Sequence, residues 1–159
     1  MKIDILTIGR LKENYLTAAV AEYTKRITPY AKITVVEVPD EKAPENLSQP
    51  QAQKILAKEA AKLDKYLDPT SYKIALAIQG KQLSSEALAA TIARLQVEGC
   101  SKFTFIIGGS LGLDKSLLDK CQLKLSFSPM TFPHQLMRVI LLEQIYRCFK
   151  INAGEPYHK

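Results

Sequence analysis

Two periods of apolar and polar residues alternate along the chain. Residues 2–8 begin as Lys-Ile-Asp-Ile and end apolar, which predicts a strand. Over residues 12–28, Tyr15, Ala19, Tyr23 and Ile27 recur every four positions with Leu16 and Val20 beside them, the stripe of an amphipathic helix. Residues 32–38 are β-branched and predict a second strand. The segment 39–50 interrupts the pattern with Pro39, Pro44 and Pro50 among charged residues, and reads as a mobile surface loop. A helix follows over 52–67, with Ile55, Leu56, Ala60, Leu63 and Tyr66 on one side, and Asp68-Pro69 ends it.

The second half repeats the alternation. Residues 72–78 predict a third strand. Ser84 is an N-cap for a helix to Val97, and Gly99 suits the position just beyond its end. Residues 102–107 predict a fourth strand whose apolar end implies burial on both faces. Asp114 caps a short helix to Lys120, and 122–127 make a short fifth strand. Pro133 suits the first turn of a last helix, running to Lys150, with Gly154 and Pro156 beyond it. Strand–helix alternation of this kind predicts an α/β fold: a mainly parallel sheet of about five strands between two helical layers (α/β/α), in a single domain spanning 1–159. Ligands in such sheets bind at the carboxyl ends of the strands, so the loops after strands three, four and five are the candidates.

Composition narrows the picture little. The chain has 159 residues, enough for one domain to bury its own core. No apolar run approaches the ~20 residues that span a bilayer, and the N-terminus reads as a strand, not a signal peptide. A cytoplasmic location is expected. Cys100, Cys121 and Cys148 form no C-x-x-C pair, so plain thiols are expected rather than a disulfide framework or a metal site. A net charge of +6 is compatible with a polyanionic partner without requiring one.

The loop after strand four, Gly108-Gly109-Ser110-Leu111-Gly112, lets backbone approach a ligand closely, though a tight turn with no ligand explains it equally. Ile107 stands where a G-x-G-x-x-G fingerprint needs glycine, and the Walker lysine is missing. The loop after strand five, Phe127-Ser128-Pro129-Met130-Thr131-Phe132, is stiff and apolar; it is either a buried connector or the wall of an adenine pocket. Gln79-Gly80-Lys81-Gln82 reads as a glycine turn after strand three. The last helix is apolar nearly all round, which calls for burial on several sides, at a subunit interface or in a central core; Arg138, Arg147 and Lys150 must then reach solvent, a carboxylate or a phosphate. The tail carries Tyr157, His158 and Lys159, an aromatic, an imidazole and a cation, although tails are commonly frayed. His134, in the first turn of the last helix, suits a structural hydrogen bond better than catalysis, since the positive helix end disfavours its charged form.

Three segments together carry a resemblance: Ile106-Ile107-Gly108-Gly109-Ser110, the run from Leu125 through Ser128-Pro129-Met130-Thr131-Phe132-Pro133-His134-Gln135, and Tyr157-His158-Lys159. With Lys2-Ile3-Asp4-Ile5-Leu6 and Pro39-Asp40-Glu41-Lys42, they resemble the ribosomal RNA large subunit methyltransferase H family over essentially the whole chain. These are SPOUT-class enzymes that methylate N3 of a pseudouridine in 23S rRNA. Pro129 falls at a position that varies in the family, and Lys159 stands where arginine is found, which keeps the charge but loses the planar fork. The resemblance implies a C-terminal trefoil knot, a homodimer, and S-adenosyl-L-methionine held by Leu76, Gly108 and the loop of Phe127, Ser128, Pro129, Met130, Thr131 and Phe132. The polar, aromatic tail beside an apolar cofactor loop leads to the expectation that His158, alone or with Tyr157, contacts the target base and assists proton removal, in trans on the other protomer's cofactor, or that Tyr157 stacks on the base. Arg147 is expected to face a phosphate or a carboxylate in that composite site, and Lys159 the RNA. No metal is implied, and the chain carries no added RNA-binding domain, so an assembled ribosomal surface is the expected substrate. Competing readings are an RNA-binding factor without catalysis, a flavodoxin-like nucleotide enzyme, and a knotted tRNA methyltransferase.

Overall fold

The computed structural model describes residues 1–159, and its five strands form one parallel sheet. In chain order the elements are β1 (Lys2–Ile8), α1 (Asn14–Ile27), β2 (Lys32–Val38), α2 (Gln49–Asp64), β3 (Tyr72–Gln82), α3 (Ser85–Val97), β4 (Lys102–Ile107), α4 (Lys115–Leu118), β5 (Leu123–Ser126) and α5 (His134–Asn152). The strand order is β2-β1-β4-β3-β5, and every pairing is parallel. Side chains alternate across the sheet because successive Cβ atoms point to opposite faces. Ile3, Ile5, Phe103, Phe105 and Ile107 therefore pack with α1, α3 and α5, in a core that includes Leu141, Leu142 and Ile145. Leu6, Ile8 and Ile106 face the other way, against Ala60 and Leu63 of α2 and Leu117 of α4. The result is the expected three layers. Each fully buried Phe, Leu or Ile here is worth roughly 1.5–3 kcal/mol relative to exposure.

Several local expectations are corrected. Residues 79–82 are not a free turn: β3 runs on to Gln82, and Lys81 and Gln82 pair with Leu125 and Ser126 of β5. Leu76 also pairs with Leu125, so residues 77–80 bulge out of the ladder between two separate stretches of pairing. Gly80 permits this return. A Cβ there would lie 2.6 Å from the carbonyl of Lys124, a distance no side chain tolerates. A lone glycine inside a strand pattern marks such close backbone approaches.

The second helix begins at Gln49, three residues before the expected start, because Ser48 caps it in a reciprocal box with Gln51 and Pro50 sits in its first turn. Part of the preceding loop is tethered rather than free: the Glu41 N–H donates to Glu59 Oε1 (3.1 Å), and Lys62 Nζ donates to the Pro39 carbonyl (2.9 Å). Tyr15 and Tyr66, assigned to apolar stripes, are exposed; Leu16 and Ile27 carry the buried edge of α1.

The last helix buries a single stripe: Arg138, Leu141, Leu142, Ile145 and Cys148. Val139 and Ile140 are only partly covered, and Leu136 is exposed. One chain thus does not supply the all-round burial that this sequence calls for. No helix is long and apolar enough to cross a membrane.

Candidate functional site

At the carboxyl ends of β3, β4 and β5 lies a cavity of about 420 Å³, within the ~300–1,000 Å³ typical of small-molecule sites. Three pieces of backbone build it. The β3 bulge contributes Leu76, Ala77, Ile78 and Gln79. The loop after β4 contributes residues 107–113, closed on itself by a bridge between Gly109 and Gly112, with the Gly112 N–H donating to the Gly109 carbonyl at 3.1 Å. Gly112 has φ +85°, and a side chain on Gly108 would run into the Gly112 carbonyl, so glycine is required at both positions. The third piece, after β5, is stiffened by its serines: Ser126 Oγ donates to the Ser128 carbonyl (3.1 Å), and the Met130 N–H donates to Ser128 Oγ (3.0 Å).

Of the residues expected to hold a cofactor, Leu76, Gly108, Ser128, Met130, Thr131 and Phe132 line this cavity. Phe127 and Pro129 do not: Phe127 packs against the main core and Pro129 faces solvent. Gln79, from the glycine turn expected after strand three, also lines it, and Ala77, Ile78, Leu118 and Met137 do so without having been singled out from the sequence. For the bulge, Gly80 was the available signal. The wall mixes apolar side chains, which can cover the face of an adenine ring, with loop backbone, which can bond its edge.

His134 also lines the cavity, but it makes no structural hydrogen bond; its Nε2 faces Gly9. Its imidazole is held below the ordinary range, first by burial and then by the charge of Arg138. Arg138 is itself 1% exposed. It donates to Glu37 Oε2 (2.5 Å) and to the Gly9 carbonyl (2.5 Å), tying the first turns of α5 to the ends of β1 and β2. The Leu11 N–H on the same Glu37 oxygen (2.9 Å) and the Lys12 N–H on Gln135 Oε1 (3.3 Å) complete that tie.

The C-terminal tail is ordered against its own chain. Tyr157 donates to Glu143 Oε1 (3.1 Å), sits edge-on to Tyr146 at 4.9 Å, and lies under the Arg147 guanidinium at 4.7 Å. Burial first and then Glu143 push the Tyr157 phenol up to about 12, so near neutral pH it donates a hydrogen bond and is not a base. Arg147 faces a carboxylate: its Nε and Nη2 donate to Glu143 Oε1 at 3.0 and 2.5 Å. Lys150 pairs with Glu155, and Lys159 is exposed. None of these tail groups lines the cavity. Arg147 lies thirteen residues along α5 from His134, roughly 20 Å at 1.5 Å per residue. A single chain does not bring His158 and Tyr157 to the loops that line the cavity.

A three-layer parallel sheet with a cavity between a strand bulge, a glycine loop and the segment leading into the last helix is the architecture of a SPOUT-class methyltransferase. The family described as "Predicted SPOUT methyltransferase" matches residues 1–158. Two relatives, each called ribosomal RNA large subunit methyltransferase H, align over 100% of both chains: 55% identical in Carboxydothermus hydrogenoformans and 57% in Bifidobacterium adolescentis. The chain belongs to this family and is an rRNA methyltransferase of the SPOUT class. Among solved structures, a Legionella pneumophila methyltransferase in complex with S-adenosylmethionine superposes with TM-score 0.51 at 9% identity, over 94% of this chain and 66% of that one. A methylase family protein of Haemophilus influenzae does so with TM-score 0.51 at 15% identity, over 96% and 66%. At these identities the likeness speaks to the fold.

Proposed function

We propose that this protein transfers a methyl group from S-adenosylmethionine to N3 of a pseudouridine in 23S rRNA, in the cytoplasm, on the assembled ribosome or large subunit. The observation that carries this reading is the cavity whose wall includes Leu76, Gly108, Ser128, Met130, Thr131 and Phe132. When bound there, the cofactor supplies an activated methyl on sulfonium sulfur. The protein's work is then alignment and removal of the imide proton. For N3 to take that methyl its proton must leave, and we assign His158 as the acceptor. Tyr157 orients the base by stacking or donation, and Arg147 and Lys159 attract the RNA backbone.

The protein acts as a homodimer through the uncovered side of α5, where Leu136, Val139 and Ile140 lie. A second copy seated there supplies the missing burial, and it provides the route by which the tail of one protomer reaches the cavity of the other. The knotted chain path that the family resemblance implies is part of this proposal. The test is methylation of ribosomes, large subunits and isolated rRNA fragments with labelled cofactor, followed by mass spectrometry of the product. Methyl transfer to a pseudouridine in particles and not in fragments is the expected result. Transfer to tRNA, or no binding of the cofactor by calorimetry, refutes the reading.

A further inference from the structure

We infer that Glu86 is a positioning residue for the C-terminal tail: with Arg147, it holds the His158 ring in one orientation and in the neutral form that carries its proton on Nε2. Arg147 Nη1 lies 3.2 Å from His158 Nδ1. A guanidinium only donates, so Nδ1 must present its lone pair. His158 Nε2 lies 2.7 Å from Glu86 Oε1, and an ionised carboxylate only accepts, so Nε2 must carry the hydrogen.

Both holding groups are themselves fixed. Glu86 sits in the first turn of α3, where its own backbone N–H, then His158 and Ser84, keep its carboxyl at about 2. Arg147 is oriented on α5 by two contacts to Glu143. The array Glu143–Arg147–His158–Glu86 thus spans two helices and the tail, which is otherwise held only through Tyr157 and Glu155.

This arrangement has a chemical consequence that rests on the reading of His158 as proton acceptor. Nδ1 is the only ring nitrogen able to take a proton, and Arg147 covers it. Entry of the target base must therefore displace the Arg147 contact. Once the N3 proton moves to Nδ1, the ring becomes a cation whose charge Glu86 balances across Nε2. No part of this array lines the protomer's own cavity, so Glu86 acts through His158 and not on the cofactor.

The chain has only two histidines, which makes nitrogen NMR of the side-chain rings direct. In the full-length protein, His158 is expected to show an exchange-protected Nε2–H proton and no Nδ1–H. Glu86→Ala should lose that protected signal, and Glu86→Gln, which keeps an acceptor oxygen, should retain it. On ribosomes, Glu86→Ala should lower kcat on the order of tenfold, less than the ~10² that a 1 Å misplacement can cost. Cofactor affinity by calorimetry should not change. A His158 proton on Nδ1, a protected Nε2–H that survives Glu86→Ala, or an unchanged kcat overturns the inference. If the wild-type protein transfers no methyl group to ribosomes, the proposed function fails, while the ring resonances still decide whether Glu86 holds His158.

Discussion

Arg138 and Glu37 form an ion pair at 2.5 Å in which the arginine side chain is 2% exposed and the glutamate 35%. Burying a guanidinium is costly, and the pair repays it only with further hydrogen bonds; here the Ile8 and Gly9 carbonyls accept from the same Nη2. The pair joins the carboxyl ends of β1 and β2 to the helix that opens beside the cavity. Removing one partner leaves a buried charge. Glu37→Ala should therefore destabilise the protein by about 3 kcal/mol, at the low end of ~3–5 kcal/mol because Glu37 is partly solvated. Urea unfolding of Glu37→Ala, Arg138→Met and the double variant checks this: the double variant should recover part of the loss.

Gly80 is the hinge of the β3 return. Gly80→Ala places a methyl group against the β5 backbone at Lys124, and forcing atoms into such a packed contact costs ~1–3 kcal/mol. Because the bulge also walls the cavity, cofactor affinity should fall together with the melting temperature. A variant that melts as the wild type does and binds cofactor normally would contradict the close approach of β3 and β5.

Glu59 gives the protein a pH dependence of definite sign. Burial raises its carboxyl above the ordinary 4.5 in the folded state, against the pull of the Glu41 N–H. A raised acid binds its proton more tightly when folded, so its unfavourable contribution is absent below about pH 4 and grows as pH rises through the raised value. Glu59→Gln keeps an acceptor for Glu41 and carries no charge. It should match the wild type near pH 4 and gain melting temperature over it by pH 7.5.

Cys148 is buried and its thiol is pushed up to about 12, by burial first and then by Glu143. Thiol reagents near pH 8 attack the thiolate, so Cys148 should react only on unfolding, after Cys100 and Cys121. Mass mapping of labelled peptides with and without denaturant reads the order.

The proposed sharing of the site between protomers predicts complementation. His158→Ala should cut turnover without changing cofactor affinity, and Thr131→Trp should fill the cavity and abolish binding. Each homodimer should be nearly inactive, yet mixed dimers should regain activity, because one composite site escapes both substitutions. Absence of complementation would place the tail and the cavity of one chain together.

Local order along this chain follows from local chemistry. β1, β2 and β4 are legible end to end because apolar, β-branched runs have no other stable use, and α3 is legible because Ser84 and Gly99 mark its ends. The loops after β4 and β5 are legible as candidates because turns at strand ends carry free backbone groups, but the residues alone leave a plain turn and a buried connector open; the cavity that Gly108 and Ser128 line appears only in three dimensions. Only the tertiary structure decided the rest, because those features depend on residues distant in sequence. The β3 bulge exists because β5 returns to pair on both sides of it. Tyr15 lies outside the core because α5, more than a hundred residues later, selects the buried edge of α1. The tail is ordered, where its composition alone suggests fraying, because Glu86, Glu143 and Arg147 meet it from two helices. Periodicity records which face of an element is apolar; which partner covers that face, and which charge finds which, is settled by packing.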